Sequence, residues 1–251
     1  MQQQQQTGPA SRRFLNQRGP VPAPEWYLGL DLGQRQDHSA LSILHLQWNF
    51  LGRCAETYEY LFVPELMVRS VERYPLNTSY EEIPRIVGAR AIQINIRHRE
   101  KSPHTAPSMQ LIIDAGGPGV PMVDHLRRVA PDNLAIKPVM ITAGSGETQL
   151  NGGFAGIPRR DLVSGLVQMV AAGCIICPAA LPGVPAWVNE MLGLSGCGAQ
   201  SNQRGDHDDL TMATALAAWA AVRDAAELAP GAAESKKSAS RTIGFVNRRL
   251  F

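Results

Sequence analysis

The chain has 251 residues, 44% hydrophobic and 18% charged, enough for one large domain with a buried core and unlike the composition of a disordered protein. The net charge of +2 is unevenly placed: residues 1–24 carry three arginines and no acid, residues 235–251 carry five bases and no acid, and residues 25–234 set 16 bases against 22 acids, a net of −6. That distribution excludes nucleic-acid binding by bulk charge and suits a body whose carboxylates gather around cations.

No apolar run reaches the roughly 20 residues of a membrane span, and the glutamine tract at the start has no apolar stretch behind it, so neither a membrane anchor nor a secretory signal is expected. Four cysteines (Cys54, Cys174, Cys177 and Cys197) are too few and too irregular for a disulfide framework. A cytoplasmic protein is expected. Residues 1–24 read as a flexible arm, 25–229 as the folded domain, and 230–251 as a basic tail.

In chain order, the pattern predicts strands over 26–32, 40–48 and 53–63, the last marked by alternating Tyr58, Tyr60 and Phe62. Joined by short loops, they make an antiparallel meander. Residues 81–99 have the helical spacing Ile83, Ile86, Val87, Ala91, Ile94, with Pro84 tolerated in the first turn. A compact strand over 109–114 precedes a helix over 121–129 and a strand over 134–141. An amphipathic helix over 161–172 and a short strand over 174–177 follow. An alanine-rich helix over 208–228 is apolar nearly all round and hence buried. Three antiparallel strands followed by alternating helices and strands indicate an α/β fold: a mixed sheet, the meander followed by parallel strands, with helices on both faces.

Three acidic positions stand at element boundaries beside small residues: Asp31 at the end of the first strand, Asp114 at the end of the fourth, and Asp208 with Asp209 at the start of the last helix. In an open α/β sheet, ligands bind beyond the carboxyl ends of adjacent strands, where Asp31 and Asp114 would converge and the helix start would add a third carboxylate. Clustered carboxylates repel one another unless a cation lies among them. Oxygen-only ligands favour Mg²⁺ or Mn²⁺, and two such ions about 4 Å apart clamp the attacking and leaving oxygens of a phosphodiester. Singly, an Asp at a strand end is a turn former and an Asp before a helix is an N-cap; the combination in this order favours the site.

The motifs Gly29-Leu-Asp-Leu-Gly-Gln-Arg-Gln-Asp37-His-Ser-Ala-Leu41, Ile113-Asp-Ala-Gly-Gly-Pro-Gly119 and His207-Asp-Asp-Leu-Thr-Met-Ala213 resemble the three acidic motifs of phage terminase large-subunit nuclease domains. The resemblance runs from about Trp26 to Ala221. It implies a ribonuclease H-like fold and an endonuclease that cuts double-stranded DNA during viral genome packaging in the bacterial cytoplasm. It further implies two Mg²⁺ or Mn²⁺ ions held by Asp31, Asp114 and one or both of Asp208 and Asp209. No Gly-x-x-x-x-Gly-Lys-Ser/Thr loop is present, so the ATPase motor is expected on a separate subunit or domain, with the capsid portal as a further partner.

Other residues admit two readings. Asp37 and His38 face the site or make a polar hairpin turn, and His207 contacts metal, phosphate or water, or is a plain cap-region histidine. Arg159 and Arg160, after the glycine-rich stretch 144–156, grip the DNA backbone or form a solvated charge pair. Asp161 is read as a first-turn acid, and Cys174 and Cys177 as buried thiols and not a zinc pair. Two rival functions remain. Leu30-Asp-Leu-Gly33 and Asp114-Ala-Gly-Gly117 also resemble the phosphate-binding motifs of actin-like ATPases and sugar kinases, an ATP-binding phosphotransferase reading that leaves His207, Asp208 and Asp209 unexplained. The other is a non-catalytic DNA-packaging module that kept the fold.

Overall fold

A computed structural model of the chain describes residues 25–33, 37–53, 60–116, 119–150, 154–196 and 208–228. The expected N-terminal arm, the basic tail from 230, and His207 lie outside them. The strands are β1 (Trp26–Asp31), β2 (Ala40–Arg53), β3 (Tyr60–Arg73), β4 (Met109–Asp114), β5 (Leu134–Thr142), β6 (Thr148–Gln149), β7 (Ala155–Pro158) and β8 (Ile175–Ile176). The helices are α1 (Glu82–Lys101), α2 (Gly119–Val129), α3 (Arg159–Ala171), α4 (Val184–Gly196) and α5 (Asp209–Leu228).

They build one eight-stranded mixed sheet in the order β6-β7-β5-β4-β1-β2-β3-β8. β1, β2 and β3 pair antiparallel, while β4 runs parallel to β1 and β5 parallel to β4. This central order, an antiparallel meander continued by parallel strands and covered by helices on both faces, is the ribonuclease H-like arrangement that the sequence led us to expect.

Alternation along the strands sorts the core into two layers. Tyr27, Leu44, Val68, Val71, Ile112 and Val139 face α3 and α5, whereas Leu28, Leu30, Leu41, Ile43, Leu111 and Ile113 face α1 and α2. The α5 layer is held at short range by small residues: Ala213, Ala217, Ala218, Ala220 and Ala221 are fully buried. At Gly29 the helix backbone comes so near that a Cβ would stand 1.9 Å from the Ala213 carbonyl oxygen. Glycine is required there by close approach.

Two expectations are corrected. The third strand runs over Tyr60–Arg73, not 53–63, and β2 continues to Arg53. A register shift between Ile43 and Leu44 leaves Arg69 out of step in β3, since Ser70 pairs with Ile43 and Val68 with Leu44. That bulge interrupts the period-two signal in the sequence. The glycine-rich stretch 144–156 is not all loop: Thr148–Gln149 pairs antiparallel with β7, Gln149 opposite Ala155 and Thr148 opposite Gly156.

Candidate active site

Asp31 is the last residue of β1, opposite Ala40 of β2, which in turn lies opposite Arg73 of β3. On the other side Leu30 pairs with Ile113, so Asp114 takes the next position on β4, where it pairs with Val139. Strand alternation puts all four on one face. Asp31 is two residues beyond Gly29, which meets α5; Asp114 is two beyond Ile112 and Arg73 two beyond Val71, both in the α5 layer. The row Arg73–Ala40–Asp31–Asp114 thus crosses one end of the sheet, facing the N-terminus of α5.

Asp209, the first residue of α5, is 7% exposed and comes close to this row. Burial pushes the Asp31 carboxyl up to about 7; after burial, the charges of Asp209 and then Asp114 are the largest contributors, Arg159 acts in the opposite sense, and Asp37 adds a smaller upward push. Like charges gathered in a desolvated place account for that shift. Asp114 is held by its backbone surroundings: the amides of Gly116 (3.0 Å) and Ile141 (3.2 Å) both donate to its Oδ1.

Asp208 lies just before the helix, and its carbonyl accepts the Met212 amide at 2.8 Å. Its side chain forms an ion pair with Arg159, and it is absent from the charges that raise Asp31. Arg159 thus pairs with Asp208 while its charge acts on Asp31. Arg160 turns outward, bonding the Ser145 carbonyl at 2.6 Å and pairing with Asp161 at 3.2 Å, which makes Asp161 the first-turn acid expected of it. Asp37 is exposed at the rim. His38 is tied to the Tyr74 carbonyl through Nδ1 at 2.8 Å, and Gly33, whose amide donates to Ser39 Oγ at 3.1 Å, accepts the Tyr80 hydroxyl at 3.1 Å. Cys174 and Cys177 are free thiols at the far edge beside β8, half-buried and with burial raising both.

Two residues of this region escaped the sequence reading. Glu190 of α4 accepts the Thr211 amide on Oε2 at 2.8 Å, and its Oε1 takes a hydrogen bond from Arg73. Arg73 also brings Nε to 3.6 Å from Asp209 Oδ2. Arg73 was hidden by the misplaced third strand; on the alternation Val71, Arg73 it would have fallen on the α5 face. Glu190 sits in no motif, and only the fold brings it to α5.

The donor chemistry of Asp31, Asp114 and Asp209 suits a divalent cation: three carboxylates, hard oxygen ligands whose mutual repulsion a cation relieves. The fit is one of charge and place. Among the described residues no three or more His, Cys, Asp or Glu side chains are grouped as a ready ligand set.

No family model matches the chain, and no curated protein matches it. No helix among the described residues is long and apolar enough to cross a membrane. Among solved structures, the chain is similar to the large terminase nuclease of thermophilic phage G20c, with 18% identity over 78% of this chain and 82% of that one and a TM-score of 0.44. It is similar to the human cytomegalovirus terminase nuclease domain at 12% identity, covering 82% and 87% of the two chains, with a TM-score of 0.49. It is similar also to the large-terminase nuclease domain of bacteriophage SPP1 with bound Mn, at 14% identity, 80% and 86% coverage, and a TM-score of 0.41.

Proposed function

We propose that the chain is a divalent-metal-dependent endonuclease that cuts double-stranded DNA in viral genome packaging, working with an ATPase motor and a capsid portal carried elsewhere. The observation that carries this reading is the convergence of Asp31, Asp114 and Asp209 from two adjacent strand ends and a helix start, with Asp31 pushed up to about 7 chiefly by burial and the other two charges. Three partly desolvated carboxylates cost free energy wherever they are not offset by cations. The motif resemblance and the ribonuclease H-like strand order agree with it.

In this reading Asp31, Asp114 and Asp209 would together hold the Mg²⁺ or Mn²⁺ ions. The ions would supply charge stabilisation at the phosphate and lower the pKa of the attacking water. The chain's own residues supply placement. The Gly116 and Ile141 amides fix the Asp114 carboxylate, Gly29 lets the α5 backbone approach β1, where the Asp209 charge acts on Asp31, and the pull of Arg159 on Asp31 favours its ionised form. Asp208 is a partner of Arg159 first, so Asp209 is the principal carboxylate of that pair. Arg159 and Arg160, whose side chains are both exposed, are the DNA-backbone contacts in this reading. The phosphotransferase alternative loses ground because that architecture uses two such sheets, and the described residues form one.

Nicking of supercoiled plasmid by the purified chain tests the proposal. Conversion to the open circle in millimolar Mn²⁺, stopped by EDTA, is expected. Intact plasmid under those conditions, with ATP-dependent phosphorylation of a small substrate instead, would overturn it.

A further inference from the structure

The first turn of α5 is capped from outside the helix. The side chain at its N-cap position, Asp208, is turned to Arg159, and the Thr211 amide is taken instead by Glu190 of α4 at 2.8 Å. The Glu190 side chain is only 6% exposed, and burial raises its pKa against the pull of the Thr211 and Leu210 amides and of Arg73. A buried carboxylate keeps its charge only while its partners remain. Here they are helix-terminal amides, where a negative charge is favoured, and one guanidinium. That guanidinium belongs to the last residue of β3, in the same row across the sheet as Asp31, with Ala40 as the single residue between them. Its Nε lies 3.6 Å from Asp209 Oδ2.

We infer that Arg73 and Glu190 form a clamp that fastens the N-terminus of α5 to the end of β3 and so sets the Asp209 carboxylate against Asp31. Arg73 and Glu190 are positioning residues: neither is needed as a ligand, and both act through Asp209. The inference rests on the reading of Asp31, Asp114 and Asp209 as one site. The clamp explains why an α4 carboxylate is buried beside a cluster that already carries too much negative charge. It also gives the helix start two independent ties, Arg73–Glu190 at the backbone and Arg159 at Asp208.

Hydrogen–deuterium exchange of the segment 208–216, measured in EDTA, and Mn²⁺ affinity by calorimetry test the clamp together. Arg73→Gln and Glu190→Gln should each speed exchange of that segment about tenfold through easier local opening and weaken Mn²⁺ binding about tenfold, the low end for loss of a residue that orients a metal ligand. Arg73→Lys, which keeps the charge, should retain most of both. Glu147→Gln, which removes a partner of Trp219 and Arg223 farther along α5, serves as the control for general loosening and should leave 208–216 unchanged. If Arg73→Gln does not fold, the near-isosteric Glu190→Gln carries the measurement. Parental exchange and parental Mn²⁺ affinity in a folded clamp variant overturn the clamp and leave the metal site standing. Faster exchange in the clamp variants of a parent that binds no Mn²⁺ supports the clamp and overturns the metal reading.

Discussion

Gly29 of β1 and Ala213 of α5 meet backbone to backbone, with no room for a methyl group between them. The contact sits two residues from Asp31 on the strand and one helical turn from Asp209 on the helix, so the packing of α5 and the geometry of the carboxylates are one problem. Gly29→Ala should push the helix away, costing on the order of 1–3 kcal/mol as overpacking does. Mn²⁺ binding should weaken more than the melting temperature alone would suggest. Ala220→Gly, farther along α5, serves as the comparison: a helix-interior glycine there costs about 1 kcal/mol without moving the end that carries Asp209. Equal Mn²⁺ affinity in the two variants would break the link between Gly29 and the site.

The elevated Asp31 carboxyl has a pH signature whose sign is fixed. Unfolded, the group titrates near the ordinary carboxylate value; folded and without metal, it is pushed up to about 7. Between roughly pH 4 and 7 the native state therefore holds a proton that the unfolded state has lost, and stability falls as pH rises through that window. Melting curves in EDTA from pH 4.5 to 8 should show that decline, and Asp31→Asn should flatten it. Because a cation competes with the proton, the Mn²⁺-induced rise in melting temperature should grow with pH up to about 7 and then level off. A metal-induced rise independent of pH would exclude Asp31 as a ligand.

Arg159 and Arg160 differ in what they touch, and their variants should differ likewise. Arg159 pairs with Asp208 and acts on Asp31; among the described residues Arg160 bonds Ser145 and Asp161 at the surface. Each lost phosphate contact should lower the salt slope of DNA binding by about one, uniformly across sequences. Arg159→Ala should also shift the acid limb of the pH–rate profile upward, since removing a positive charge raises the Asp31 pKa. Arg160→Ala should leave that limb in place. Identical profiles for the two would place Arg159 outside the carboxylate site.

Much of this was legible in the sequence, for identifiable reasons. β1 and β4 are short, strongly apolar strands ending in Asp, and α5 is a long alanine-rich helix opening on Asp, so Asp31, Asp114 and the pair Asp208 and Asp209 could be assigned to element ends, and the element order placed those ends near one another. The third strand was misplaced because the bulge at Arg69 breaks the alternation between Val68 and Val71 and because β2 continues to Arg53. That error concealed Arg73. Glu190 was concealed for another reason: α4 reaches the first turn of α5 only through tertiary packing, and no spacing in the chain encodes it. Asp208 was read as equal to Asp209, since adjacent acids at a helix start cannot be told apart before the ion pair with Arg159 is seen.

In the proposed site Asp31 is the carboxylate on which cleavage turns, and the nicking rate of Asp31→Asn in Mn²⁺ tests that role most directly. The amide keeps the shape and removes the charge that would neutralise the cations, so cleavage should fall by more than about a hundredfold, as when one member of a cooperating set is lost. The melting temperature of the variant in EDTA above pH 7 should be equal to the parent's or higher, because a repelled buried charge has been removed. Plasmid cut at the parental rate by a folded Asp31→Asn protein would contradict the account.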